Sequence, residues 1–153
     1  MSALDIAEVG EDDLADLLPL MVAYCDFYGV TPSPDALLAL SRTLLDEPEH
    51  HGLQLIARRG EGGGAVGFAT LYWTWSTTRA ARIGVMNDLY VAPPARGTGI
   101  ADELIHACAE ECRRHRARSL DWETAKDNER AQRVYDRVGA HRSEWVEYSL
   151  PVK

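Results

Sequence analysis

The 153-residue sequence has few basic residues, few cysteines and no long apolar run. Its 16 lysines and arginines face 24 aspartates and glutamates, which gives a formal net charge of -8. A broad basic surface for nucleic-acid backbones is therefore not expected, and nucleic acid is excluded from the predicted partners. The acidic balance instead favours small cationic molecules as ligands.

The apolar segments are too short for a membrane span. The longest uncharged run near the N-terminus, residues 17–25, falls well below the roughly 20 residues that a transmembrane helix needs, and it contains Pro19. The first ten residues include Asp5 and Glu8 but no basic residue, which is not the pattern of a secretory signal. These features predict a cytoplasmic protein with no membrane partner.

The cysteines form neither a disulfide framework nor a convincing metal site. Cys25, Cys108 and Cys112 give an odd count without framework spacing, so reduced thiols are expected. Cys108 and Cys112 occur near His106 and His115 on one helical segment, where a metal is conceivable. Because both cysteines share the apolar stripe of that helix, we predict buried thiols and no metal.

The apolar periodicities predict one mixed α/β domain over residues 1–153. In chain order the predicted elements are a strand through Leu4, Ile6 and Val9, a helix to about Phe27, a second helix over 37–45, strands over 53–57, 65–76 and 82–91, a helix from Ile100 through Cys112, a strand over 119–124, a helix from Asn128 to Gly139, and a half-buried closing strand over 144–150. Residues 60–64, Gly-Glu-Gly-Gly-Gly, predict a flexible hairpin connection.

The segment from Asp88 to Ala101 carries the clearest chemical signal. A strand ends at Pro93-Pro94, and a turn with Gly97 and Gly99 leads into the next helix. Glycines let the backbone approach an anion closely, and the first N–H groups of the helix point at it. The pattern predicts a diphosphate site.

Two other phosphate-binding motifs do not fit. A P-loop needs Gly-Lys followed by Ser or Thr, and the chain has no Gly-Lys dipeptide. A dinucleotide fingerprint needs a third glycine at position 102, which is Asp102 here.

The loop instead resembles the signature of the GNAT superfamily of acyl-CoA-dependent N-acetyltransferases. Arg96, Gly99 and Ala101 match its Arg-or-Gln, two residues, Gly, one residue, Gly-or-Ala pattern. Its closing pattern is matched by Asn128, Ala131, Tyr135, Gly139 and Ala140. The resemblance implies a single-domain GNAT-like fold, with a central mixed, mostly antiparallel sheet flanked by helices. Residues 53–150 would bind acetyl-CoA, and residues 3–50 would hold the variable substrate-side elements.

The resemblance also implies the cofactor and its binding residues. The acyl donor would be acetyl-CoA, and the protein would form a homodimer. The implied cofactor-binding residues are Leu89, Tyr90, Val91, Arg96, Gly97, Thr98, Gly99, Ile100, Ala101, Asn128, Ala131 and Tyr135.

Within the superfamily, the chain is most similar to the diamine (spermidine/spermine) N-acetyltransferases. The similarity rests on Gly67-Phe68-Ala69, the aromatic run at Tyr72, Trp73 and Trp75, Asp88, Trp122 and Gly139-Ala140 before Trp145. The chain departs from that type at Asn87, where a glutamate is common.

Acetyl transfer to an amine requires removal of a proton, because an alkylamine with a pKa near ~10.4 is mostly cationic at neutral pH. Asp88 is the first candidate base and Glu123 the second. The departing thiolate, with a parent pKa of ~8.5, benefits from a phenol donor, and the resemblance assigns that role to Tyr135.

Aromatic and acidic residues predict a cleft for a cationic amine. Any one of the aromatics could instead fill the core. The predicted substrate-binding residues are Tyr24, Asp26, Tyr28, Trp73, Trp75, Asn87, Asp88, Glu123 and Trp145.

The sequence therefore predicts an enzyme that acetylates the primary amine of a diamine, polyamine or amino-acid-like molecule by direct transfer in a ternary complex. Two alternatives stay open. The acceptor could be a peptide or protein, or the chain could be a non-catalytic sensor of acyl-CoA. Asn87 favours the sensor, whereas Tyr135 opposes it.

Overall fold

A computed structural model describes residues 3–60 and 63–152. Its sheet has five strands in the order β1-β2-β3-β4-β5. They are β1 (Leu4–Glu8), β2 (Gly52–Arg59), β3 (Ala65–Ser76), β4 (Ala81–Val91) and β5 (Leu120–Asp121). The first three pairings are antiparallel and β4 pairs with β5 in parallel, which confirms the predicted mixed, mostly antiparallel sheet.

The helices lie close to the predicted positions. They are α1 (Leu14–Phe27), α2 (Pro34–Asp46), α3 (Ile100–Arg114) and α4 (Glu129–Arg137). Gly29 ends α1 with a φ of 71°, a backbone conformation that glycine adopts without strain. Ser33 caps α2 by accepting a hydrogen bond from the Ala36 N–H at 3.1 Å. None of the helices that the structure describes is long and apolar enough to cross a membrane.

Helices α1 and α3 pack on opposite faces of the sheet. The Tyr24 ring of α1 contacts the rings of Phe68 and Tyr90. The residue before Phe68 is Gly67, whose added Cβ would lie 3.4 Å from Leu104 of α3. Because neighbouring residues on a strand point to opposite faces, the two helices cover different sides. The core on the α1 side contains Val9, Leu14, Leu17, Leu20, Met21, Ile56, Phe68 and Tyr90.

On the other side of the sheet, α3 packs closely through apolar side chains. Cys108 and Cys112 are buried with free thiols, as predicted, and burial raises the pKa of both. A Cβ added to Gly84 of β4 would lie 2.6 Å from the Cys112 sulfur. Only a glycine therefore lets α3 sit this close to the sheet. The buried residues of α3 are Ile100, Leu104, Ile105, Cys108 and Cys112.

The structure divides into two compact units, one ending at Glu123 and one beginning at Thr124. The second unit contains α4, which begins at the predicted cap. The Asn128 side chain accepts a hydrogen bond from the Ala131 N–H at 3.2 Å. Gly139, with a φ of 88°, ends the helix, and the Ala140 N–H closes it onto the Tyr135 carbonyl at 3.1 Å.

Two predicted elements differ from the structure. The closing strand over 144–150 is wrong: the segment has no strand, and Trp145 is 92% exposed. Alternation of apolar and polar residues does not by itself supply the hydrogen-bonded partner that a strand requires. The strand predicted over 119–124 is only Leu120–Asp121. Part of the predicted 60–64 connection, residues 61 and 62, lies outside the described residues.

Candidate active site

A bulge in β4 creates the centre of the site. Thr70 of β3 pairs with Asp88, whereas the next residue, Leu71, pairs with Met86. Asn87 is therefore the extra residue of a β-bulge, which re-aims backbone groups away from the ladder. The Asn87 carbonyl accepts a hydrogen bond from the Tyr24 hydroxyl at 3.4 Å.

Asp88 is a partly buried carboxylate with several hydrogen-bond donors. Burial raises its pKa, and the neighbouring polar side chains of Thr70, Tyr24 and Asn87 oppose that rise. The Asn87 amide nitrogen donates to the Asp88 carboxylate at 3.0 Å. The result is a carboxylate that is a stronger base than an exposed aspartate but is still stabilised in its ionised form.

Aromatic rings from α1 form a wall beside this carboxylate. The Tyr24 ring centre lies 5.0 Å from that of Tyr28, which is half-exposed at the end of α1. Burial and the Asp88 charge raise the pKa of Tyr24, so its hydroxyl stays protonated. Asp26, in the same last turn, is exposed. Tyrosine faces and carboxylates together suit a cationic group.

The edge of β4 that faces away from β3 is largely unpaired. Its parallel partner β5 pairs only with Gly84 and Val85. Within the part of the chain that the structure describes, the edge from Met86 to Val91 therefore carries no β-ladder. Unpaired backbone groups on such an edge can hydrogen-bond an extended ligand.

The Gly-rich loop follows directly from this edge. After a 3-10 turn over Pro93–Ala95, Gly97 and Gly99 have φ values of 79° and 84°, and α3 begins at Ile100. No atom lies within 4 Å of the position that a Cβ would take on either glycine. This open space at a helix N-terminus fits a diphosphate.

Side chains hold the loop in place. The Arg96 Nε donates to the Val91 carbonyl at 2.9 Å, and its guanidinium lies over the Tyr90 ring at 5.7 Å. The Thr98 hydroxyl donates to the Ala95 carbonyl at 2.6 Å. Arg96 therefore anchors the loop to the end of β4, in addition to the positive charge that was predicted for phosphate contact.

Arg59, the last residue of β2, contacts the Gly-rich loop and was not among the residues predicted from the sequence. Its Nη2 donates to the Thr98 hydroxyl oxygen at 3.0 Å, which brings a second guanidinium to the Gly-rich loop. The only signal in the sequence was a basic residue at the end of β2, and its proximity to Thr98 depends on how the sheet pairs.

The predicted aromatic cleft is only partly assembled. The structure brings Tyr24, Tyr28, Asn87 and Asp88 together. Trp73 lies on the α3 side instead, where its ring stacks on His115 at 4.6 Å. Trp75 shares the face of Trp73 and is 74% exposed. Alternation on β3 puts these two tryptophans on the side opposite Thr70, away from Asp88.

The other predicted residues occupy separate places in the chain. Glu123 is exposed two residues beyond β5. Tyr135 is partly exposed on α4, together with Ala131. Leu89 and Val91 lie at the end of β4, and Ala101 lies in the first turn of α3.

Comparisons with known proteins agree with this geometry. The model of the acetyltransferase (GNAT) family matches residues 18–140. The uncharacterized N-acetyltransferase YhfO of Bacillus subtilis (strain 168) is 30% identical over 150 residues, which cover 97% of this chain and 98% of the relative. Thialysine N-epsilon-acetyltransferase of Mus musculus is 29% identical over 153 residues, covering 92% of this chain and 85% of the relative. A solved structure of a probable acetyltransferase superposes with a TM-score of 0.84 at 31% identity, covering 97% and 98% of the two chains.

Proposed function

Since the chain belongs to the acetyltransferase (GNAT) family, we propose that it transfers an acetyl group from acetyl-CoA to the primary amine of a small molecule. The observation that carries the proposal is Asp88. It is a partly buried carboxylate on the unpaired edge of β4, beside Tyr24 and three residues before the strand ends at Val91.

The residues of the loop fit the cofactor that the family uses. Acetyl-CoA supplies the acetyl group activated as a thioester. The loop from Arg96 to Ala101 would hold its diphosphate through backbone N–H groups, and Arg59 would add positive charge. Leu89, Tyr90 and Val91 would bind its extended arm along the edge of β4. Asn128 and Ala131 are assigned to cofactor binding because they match the family pattern.

Asp88 would act as the base. A carboxylate oxygen of Asp88, directly or through one water, accepts a proton from the ammonium group of the acceptor, which frees the nitrogen lone pair for attack. The raised pKa of Asp88 strengthens it as a base, and its donors keep it ionised. Tyr135 would return a proton from its hydroxyl to the departing sulfur, a role that its place in the family pattern suggests. Glu123 is the second candidate base.

The acceptor would be a diamine, a polyamine or an amino-acid-like amine. Tyr24, Tyr28 and Asp26 would surround its cationic group, and Asn87 would contact it from the bulge. The similarity to thialysine acetyltransferase supports an amino-acid-like amine in this group. The net charge of -8 favours a cation over an anionic acceptor. The proposal includes a cytoplasmic homodimer, which light scattering during size-exclusion chromatography tests.

The test is an acetyl-transfer assay followed by mass spectrometry. The purified protein is incubated with acetyl-CoA and, one at a time, diamines, polyamines, lysine-like amino acids including thialysine, and short peptides. We expect acetylation of one small-amine group at a rate well above that of the peptides. Faster transfer to peptides would support the protein-acceptor alternative, and binding of CoA without any transfer would support the sensor.

A further inference from the structure

The interior of the first unit contains a row of polar side chains that its packing does not require. Among the residues that the structure describes, the buried polar side chains are Ser41, Gln54 and Thr70. Gln54 of β2 pairs directly with Thr70 of β3, and Thr70 pairs with Asp88 of β4. Directly opposed residues share a face of the sheet, so Gln54, Thr70 and Asp88 form a continuous polar row across three strands.

The hydrogen bond between Gln54 and Thr70 has a defined donor and acceptor. The Gln54 Nε2 donates to the Thr70 hydroxyl oxygen at 3.0 Å and also approaches the Met21 sulfur at 3.5 Å. An amide nitrogen has only donors, so the Thr70 hydroxyl cannot direct its proton back to it. The remaining polar neighbour of Thr70 in the row is the Asp88 carboxylate, directly opposite it on β4, whose pKa the Thr70 side chain lowers.

We propose that Gln54 and Thr70 are positioning residues for Asp88. The Gln54 amide orients the Thr70 hydroxyl so that its proton is directed at the Asp88 carboxylate, which keeps that carboxylate ionised and aimed at the acceptor amine. The inference rests on the proposed function, because it names residues that support its base. Neither side chain touches the reacting atoms, and an amide does not relay a proton. The row therefore orients the Asp88 carboxylate and does not conduct protons.

The surroundings favour this role over simple packing. Thr70 has no exposed surface, and its strand neighbours Ala69 and Leu71 are equally buried apolar residues. A valine would fill the Thr70 position with nearly the same shape, whereas a buried hydroxyl costs free energy unless it is hydrogen-bonded. The proposed role beside the Asp88 carboxylate therefore explains why position 70 has a polar side chain.

Among the residues that the structure describes, the titratable groups that interact with Asp88 stay neutral while it titrates. The titratable groups that interact with its charge are Tyr24 and Cys25 on α1 and Tyr72 on β3. Burial raises the pKa of all three, that of Tyr72 to about 12, so they stay neutral while Asp88 titrates. Removal of the Thr70 hydroxyl should therefore act on Asp88 directly.

The test compares Thr70→Val with Thr70→Ser in the full-length protein. The titration of the Asp88 carboxyl carbon is followed by NMR without acetyl-CoA, and the pH profile of kcat/KM is measured with the best amine of the assay. Because the hydroxyl stabilises the carboxylate, we expect Thr70→Val to move both the Asp88 titration and the acidic limb of the profile upward by about one pH unit. Thr70→Ser, which keeps a hydroxyl, should restore both.

The control is Thr74→Val, an exposed threonine on the same strand, which should move neither curve. If Thr70→Val does not fold, Gln54→Met replaces it, because it removes the donor that orients Thr70; a smaller upward shift is expected. An unmoved Asp88 titration in the folded variants overturns the positioning role. A wild-type protein that acetylates no amine overturns the proposed function instead, so the two failures are distinguishable.

Discussion

The two faces of the sheet are built on opposite principles. The α3 face is so tightly packed that Gly84 has no room for a Cβ beside Cys112. The α1 face has an apolar core too, but the polar row and the Tyr24 hydroxyl interrupt it next to the bulge at Asn87. Packing alone would have favoured apolar side chains on both faces.

The difference between the two faces indicates that the α1 face carries the features that the proposed function requires. Partial burial of the Asp88 carboxylate raises its pKa and destabilises the folded chain, and a bulge interrupts the ladder. Both are placed on one face, whereas the other face provides rigid support. Substitutions on the α1 face should therefore change activity more than stability, and substitutions on the α3 face should do the reverse.

The largest effect is expected on the α1 face, from Asp88→Asn. Loss of the base should lower kcat/KM by about 10²–10⁴-fold while CoA binding, measured by calorimetry, is retained. Asp46→Asn, a change of the same kind at an exposed aspartate of α2, is the control and should leave the rate unchanged. Retained activity in Asp88→Asn would move the base to Glu123 or to another group.

The α3 face is tested by Gly84→Ala, measured by denaturant unfolding. The added Cβ would lie 2.6 Å from the Cys112 sulfur and 3.2 Å from both Leu71 and Trp73. Such overpacking should lower the free energy of unfolding by about 1–3 kcal/mol. Gly64→Ala is the control, since no atom of the described residues, apart from its chain neighbours, lies within 4 Å of its Cβ position. Adding Cys112→Ala should recover part of the loss, and a fully stable single variant would contradict the close packing.

The pH dependence of stability should distinguish two carboxylates. The pKa of Asp88 is raised by burial, so its ionisation destabilises the folded state as pH rises through its unfolded pKa of ~3.9 toward the raised folded value. The pKa of Asp13 is lowered by the Gly10 backbone N–H and by Arg58, so its contribution is present above ~3.9 and lost as pH falls through the lowered value.

Replacing Asp88 and replacing Asp13 by asparagine should therefore change the Tm in opposite directions. At neutral pH we expect Asp88→Asn to raise the Tm and Asp13→Asn to lower it, and both differences should shrink toward pH 3. Thermal unfolding followed by circular dichroism over this range measures both. If both variants changed the Tm in the same direction at neutral pH, the opposite pKa shifts of Asp88 and Asp13 would be contradicted.

A smaller effect is expected at the Gly-rich loop from Arg59→Gln. Because the Arg59 guanidinium is exposed, its loss should raise the KM for acetyl-CoA by about fivefold, with little change in kcat. The effect should diminish at high salt. Arg79→Gln, at an exposed arginine paired with Asp121, serves as the control and should leave this KM unchanged.

Helices and strands that depend on local periodicity could be predicted from the sequence. Features that depend on the pairing of strands distant in the sequence could not. Ala65–Ser76 and the apolar stripe of α3 follow from spacing alone, and the structure has both. The bulge at Asn87 and the row through Gln54 depend on register between strands, which no local pattern encodes. The glycine loop was recognisable because its two glycines are needed locally, whereas Arg59 reaches it only through the pairing of the sheet.

The smallest effect is expected from Trp75→Ser, which tests the corrected boundary of the amine site. Trp75 and Tyr28 are both exposed aromatics, at 74% and 54%, but Tyr28 lies against Tyr24, whereas Trp75 shares the face of Trp73. Trp75→Ser should leave the KM for the amine unchanged and the free energy of unfolding within about 0.5 kcal/mol. Tyr28→Ser should raise that KM because it removes an aromatic face from the cation. If the Trp75 variant instead raised the KM and the Tyr28 variant did not, the amine would bind on the opposite face of β3, and Asp88 could not be its base.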